Sequence, residues 1–229
     1  MTLVARIRAD LAEGADPARA AAQQAYMKSA MPFHGVTMPQ VRAIGRRHLT
    51  DLQMTSCDDW QQAVLTLWRG ARFREERYVA MMLAGDRRFE SCRTPKAIPM
   101  LEEMIVSGAW WDHVDEAAHL IGRILRAHPK PMRRVMRSWS KDANLWKRRV
   151  SIICQISFKK DTDLELLYGN IETNFGDRDF FIRKAIGWAL RAYAWTDPAE
   201  VVRYVRENES RLSGLSRREA LKNVPLTMR

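Results

Sequence analysis

Trp111-Asp112-His113-Val114-Asp115-Glu116-Ala117-Ala118-His119-Leu120-Ile121-Gly122-Arg123-Ile124-Leu125 is the stretch on which the fold turns. At roughly 100° per residue, Val114, Ala118, Ile121 and Leu125 fall on one apolar stripe, the signature of a helix packed on one face. Trp111 and Asp115 lie at the edge of that stripe, one helical turn apart on the same side. Two readings of this pair stand side by side. Trp111 is core filler and Asp115 a first-turn acid favoured by the helix dipole. Or the two are presented together to a ligand.

Outward from this helix, the same phase recurs. Trp111, Trp146, Phe181 and Ser216 are each 35 residues apart, and Phe73 lies 38 before Trp111. Helical segments are predicted to begin near Thr2, Pro17, Pro39, Cys57, Arg74, Thr94, Trp111, Pro129, Asn144, Thr162, Asp179, Pro198 and Ser216. Pro17, Pro39, Pro129 and Pro198 suit first-turn positions, and Ser216 with Glu219 reads as a capping box. No run of alternating β-branched residues suggests a strand. Pairs spanning about 57–85, 94–127, 129–158, 162–194 and 198–224 predict an all-α chain. The architecture expected is an α-solenoid of HEAT-like helical repeats, a single domain over residues 1–229, with a concave basic face.

The helix from Phe181 sorts its residues in the same way. Ile182, Ala185, Ile186, Ala189 and Tyr193 form the core side, and Lys184, Trp188 and Arg191 lie nearly opposite. Trp188 therefore stands between two cations, either to bind a ligand or to pack against the neighbouring repeat. In register, Asp115, Arg149 and Trp188 are expected on adjacent ridges of one wall.

Composition sets the class of partner. The 229 residues carry 38 Lys and Arg against 27 Asp and Glu, a formal net charge of +11. A basic protein without a membrane signal most often meets nucleic acid. No apolar run approaches the ~18–20 residues of a membrane helix, and the start lacks the pattern of a signal peptide. Cys57, Cys92 and Cys154 suit neither a disulfide framework nor a zinc site, so buried thiols in a reducing cytoplasm are expected. Basic clusters recur at about the repeat spacing: Arg46/Arg47, Arg72/Arg74/Arg77, Arg133/Arg134/Arg137, Lys147/Arg148/Arg149 and Arg217/Arg218/Lys222. Singly each reads as a solvated face; together they suit a phosphate backbone.

Four regions carry a family resemblance. Tyr26-Met27-Lys28 with Pro32-Phe33-His34-Gly35-Val36 and Pro39 is the first, and Trp110 to Asp115 the second. Trp146 with Arg149 is the third. Phe180 to Arg191 followed by Leu215 to Ala220 is the fourth. In combination these resemble the DNA alkylation repair glycosylases built from HEAT-like repeats, the AlkD-type family, from about Tyr26 to Asn223. His113 departs from the pattern, which has a small polar residue there.

The resemblance implies hydrolysis of the N-glycosidic bond of N3- or N7-alkylated purines in duplex DNA; no lysine stands out as a Schiff-base nucleophile, so a monofunctional glycosylase is expected, and no cofactor or metal. It implies a catalytic carboxylate at Asp115 and lesion-contacting tryptophans at Trp111 and Trp188. It implies phosphate-holding arginines at Arg149 and Arg191, with Tyr26 also reaching DNA. Arg217 and Arg218 join this DNA-binding set on their place in a basic cluster, and Lys184 on its place beside Trp188 and Arg191. A soluble monomer acting on DNA, away from membranes, is expected. The other reading is a non-catalytic DNA-binding or damage-sensing repeat protein, and a third is a protein-binding scaffold.

Overall fold

Capping chemistry starts most of the helices. In the computed structural model, which describes residues 1–225 and Thr227, the hydroxyl of Thr2 accepts the Ala5 N–H and opens α1 (Leu3–Glu13). Asp16 does the same for α2 (Pro17–Met27), with Pro17 at the first helical position. The helices α3 (Met38–Leu49), α4 (Cys57–Gly70) and α5 (Arg74–Ala84) follow, then a 3-10 segment at Arg87–Cys92. Ser56 and Asp59 form a reciprocal capping box at the start of α4, which satisfies two of the donors a helix start leaves open. No strand is found among the described residues.

These elements make up one of two compact units, Met1–Arg93. Its core holds Ile7, Leu11, Val41, Trp60, Val64, Trp68, Val79 and Leu83. Two buried carboxylates at the start of α5 organise the chain around them. Glu75 accepts the backbone N–H groups of His34, Gly35 and Val36 at 3.0, 2.9 and 3.2 Å. Gly35 has φ +84°, and a Cβ there would lie 2.1 Å from the Asp16 carbonyl oxygen, so only glycine closes this loop. Glu76 takes two hydrogen bonds from Arg8, at 2.7 and 2.9 Å, and one from the Arg72 N–H at 2.9 Å.

Cys57 and Cys92 form a disulfide with Cα atoms 5.2 Å apart. This corrects the expectation of three reduced thiols and removes the cysteine-based reason for a reducing compartment. Only Cys154 is a free thiol among the described residues, and burial pushes it up to about 12. Such a thiol is inert at neutral pH.

The second unit begins at Thr94. It comprises α6 (Ile98–Gly108), α7 (Trp111–Ala127), α8 (Pro129–Trp139), α9 (Leu145–Ile153), α10 (Leu164–Glu172), α11 (Phe180–Ala194), α12 (Pro198–Glu207) and α13 (Gly214–Ala220). Of the predicted pairs, α6 packs on α7, α8 on α9 and α12 on α13, whereas α10 packs chiefly on α8 and α9. Second helices pack in series, α7 on α9, α9 on α11 and α11 on α13. Among the first helices, Arg133 of α8 reaches Asp163 and Glu165 at the start of α10, and Tyr168 of α10 stacks on Tyr204 of α12 at 3.9 Å. Val114, Ala118, Ile121 and Leu125 are buried, as are Ile182, Ala185, Ile186 and Ala189. No helix among the described residues is long and apolar enough to cross a membrane.

One helix start differs from expectation. The N-cap of α13 is Ser213, whose hydroxyl accepts the Ser216 N–H at 3.0 Å. Ser216 is buried and donates to the Arg183 carbonyl at 2.8 Å. Glu219 is thereby placed in the body of the helix rather than in a capping box.

Candidate functional site

Ala109 ends α6 in the left-handed region, at φ 37°, and Trp110 is extended before α7 begins. That turn drives the Trp110 ring against Trp146 and Phe181, at centroid distances of 6.1 and 5.3 Å, while Trp146 and Phe181 lie 5.0 Å apart. Three consecutive helical pairs thus contribute one aromatic each to a packed cluster. The member from the first pair is Trp110, and Trp111, half-buried at the first position of α7, is not among the rings in it.

Beside this cluster, Asp115 and Arg149 form a two-pronged ion pair, Nε to Oδ1 at 2.7 Å and Nη2 to Oδ2 at 2.8 Å. The third guanidinium nitrogen, Nη1, donates to the Phe181 carbonyl at 2.7 Å. Arg149 is only 4 % exposed. The Asp115 side chain retains 16 % exposure, so its carboxylate has an open edge. The Arg149 guanidinium carbon lies 5.9 Å from the ring centre of Trp188, placing the carboxylate, the arginine and that tryptophan in one neighbourhood. Burial raises the Asp115 carboxyl above the ordinary value. Arg149 and, more remotely, His119 oppose that rise, and Asp112 adds to it. The dominant cause is desolvation.

Lys184, Trp188 and Arg191 share one face of α11. Both cations are held by Glu219 of α13, each at 2.7 Å. The same stripe carries Phe180 at 53 % exposure and Trp195 at 76 %. Arg217 pairs with Glu209 at 2.6 Å and, with the exposed Arg218, lines an open groove of about 680 Å³ between α12 and α13. Tyr26 belongs to the other unit, on α2, and is 77 % exposed.

The recurring cations prove to be largely ties between helices. Lys147 bridges Glu102 and Asp142 at 2.7 and 2.5 Å, Arg148 meets Asp177 at 2.8 Å, and Arg149 meets Asp115. Arg137 joins Arg133 on Glu165, and Arg77 lies over the Trp68 ring at 4.6 Å. Glu219 went unseen as a partner of α11 because its spacing from Ser216 reads as a cap. The signal for its real partner is that Lys184 lies 35 residues before it, one repeat away in the same phase with opposite charge.

The family described as DNA alkylation repair enzyme matches residues 7–224 of the chain. A solved structure, a predicted DNA alkylation repair enzyme from Enterococcus faecalis, is similar with a TM-score of 0.84 and 28 % sequence identity. The similarity covers 93 % of this chain and 97 % of that one. No curated protein matches the chain at a significant level. With nearly its whole length matched and its fold shared, the chain belongs to the DNA alkylation repair enzyme family.

Proposed function

We propose that the protein is a monofunctional DNA glycosylase that releases N3- or N7-alkylated purines from duplex DNA. The observation that carries this reading is the Asp115 carboxylate, pinned by the buried Arg149 beside Trp188 with one edge open. The helical ladder of the second unit supports a HEAT-like repeat architecture that presents this edge to DNA.

An alkylated purine of this kind carries a positive charge and leaves without being protonated. The C1′–N bond breaks, its electron pair goes to the base, and an oxocarbenium-like sugar develops. A fixed negative charge stabilises that sugar because it needs no reorganisation when the charge appears. Asp115 meets this requirement, since Arg149 fixes the plane of its carboxylate through two hydrogen bonds. The same carboxylate orients the water that adds to C1′ and takes the proton that the water loses. The products are the free base and an abasic site. Trp111 and Trp188 contact the cationic base and the deoxyribose, each cation–π contact contributing ~0.5–2 kcal/mol. Arg149 acts on the reaction through Asp115. Lys184, Arg191, Arg217, Arg218 and Tyr26 hold the phosphate backbone.

The test is release of 7-methylguanine and 3-methyladenine from methylated duplex DNA by the wild type and by Asp115→Asn. Release by the wild type alone supports the reading. Equal release by both, or none by the wild type with duplex binding intact, would sink it; the second outcome leaves a damage-binding protein.

A further inference from the structure

The face of α11 that carries Trp188 is already electrostatically occupied. Glu219 accepts from Lys184 Nζ through Oε1 and from Arg191 Nη1 through Oε2, both at 2.7 Å. Lys184 lies one turn before Trp188 and Arg191 about one turn after it, so a single carboxylate spans the tryptophan. A carboxylate with one oxygen on each cation has the charge and two-point geometry of a phosphate diester's free oxygens.

Its position is set by backbone packing. A Cβ built on Gly187 would lie 2.4 Å from the Glu219 Cβ and 2.9 Å from the Ser216 carbonyl oxygen. The absence of a side chain at 187 therefore lets α13 sit directly on α11. Ser216 fixes the start of α13 through its bond to the Arg183 carbonyl. The Glu219 side chain is 14 % exposed, and Lys184 and Arg191 are 37 % and 22 % exposed. The cations are open enough for an outside anion to compete and near enough to Glu219 that it must compete.

We propose that Glu219 is an affinity-setting residue, an internal stand-in for a DNA phosphate that lowers the backbone affinity for duplex DNA and leaves binding dependent on the lesion contacts. Undamaged DNA gains little from Lys184 and Arg191, because each phosphate contact there displaces a carboxylate of the same charge. DNA that also places a cationic base against Trp188 and Asp115 gains contacts for which the protein has no internal substitute. Glu219 therefore lowers the backbone affinity common to both duplexes, so that retention depends on the lesion contacts, which undamaged DNA cannot make. This inference rests on the proposed substrate, alkylated duplex DNA.

The experiment measures binding of undamaged duplex and of the same duplex carrying one 7-methylguanine, across a salt series, for the wild type and Glu219→Gln. Glu219→Gln is expected to bind undamaged duplex about ten-fold more tightly at ~0.1 M salt. The slope of log K against log[salt] should steepen by about 0.9 to 1.8, as one or two cations become available to phosphates. The methylated duplex, which presents the same phosphates, should tighten by a similar factor. In a Lys184→Met/Arg191→Met background, adding Glu219→Gln should change neither affinity nor slope. Unchanged or weaker binding by Glu219→Gln overturns the proposal. So does equal tightening in the double-cation background, which would show a general effect of net charge. Base release is read separately: a wild type that releases no base defeats the catalytic reading, while unchanged binding with normal release defeats only this one.

Discussion

Two carboxylates, one in each unit, the first buried and the second half-buried, meet arginines in opposite ways. Glu76 takes two bonds from Arg8 and a third from the Arg72 N–H, with His34 Nε2 3.5 Å away. Burial opposes its ionisation, but the nearby His34 ring and the bonds from Arg8 and Arg72 outweigh burial and bring it down to about 2. Asp115 receives a two-pronged pair from Arg149 alone, and burial keeps its carboxyl above the ordinary value. Glu76 is 3 % exposed, whereas the Asp115 side chain keeps 16 %. Saturated hydrogen bonding makes a carboxylate a fixture of the fold. One arginine and one open edge leave a carboxylate with capacity for a ligand. The pH dependence of stability separates them too. Glu76, with a depressed value, stabilises the fold above its ordinary 4.5, and that stability is lost as pH falls toward 2. Asp115, with a raised value, contributes stability at low pH that is lost as pH rises through its folded value.

The largest expected effect breaks the comparison at its functional end. Asp115→Asn should lower base release on the order of 10³-fold while duplex binding persists, as seen by single-turnover release alongside a binding isotherm. Glu76→Gln probes the other carboxylate. It should reduce stability by about 3 kcal/mol at neutral pH, from the displaced value. The difference from wild type should fade between pH 4.5 and about 2 in urea titrations. Release per folded molecule should stay at the wild-type level, and a specific loss would show that Glu76 also serves the chemistry. Arg149→Met sharpens the contrast from the partner's side. It should cost release about a hundred-fold through misplacement of the carboxylate, and the acid limb of the pH–rate profile should move to higher pH. An unmoved limb would mean that Asp115 is not the titrating group. The smallest effect is that of Trp188→Ala, roughly 2- to 30-fold in release of a cationic base. A neutral lesion released by the wild type should be less affected, and equal losses would argue against charge recognition.

The sequence made the packing legible and the pairing of charges mostly illegible. The period of about 3.6 residues marks Val114, Ala118, Ile121 and Leu125 as core because burial depends on a residue's own face of its own helix. The partner of a charge depends on the register between helices, which local periodicity does not hold. Arg149 could be placed in phase with Asp115, yet read as a phosphate clamp it gave no sign of being buried against that acid. Trp110 and Trp111 are adjacent aromatics, and the 35-residue phase picks out Trp111. The left-handed turn at Ala109 separates them, by delivering Trp110 to the cluster. Some of the missed pairing was nevertheless present in the long period. Lys184 of α11 and Glu219 of α13 are 35 residues apart. Equal phase in neighbouring pairs brings such residues to the same level of the stack, whatever their chemistry.

Gly187 also makes the site adjustable by a purely mechanical route. Its α-hydrogen faces the Glu219 Cβ across a gap that no side chain fits. A single methyl at this position would act as a wedge, prising α13 from α11 and drawing the Glu219 carboxylate away from Lys184 and Arg191. The charge presented around Trp188 would change with every ionisable group still in the chain. A residue with no charge, no polarity and no side chain thus sets the local field by controlling the distance between two helices.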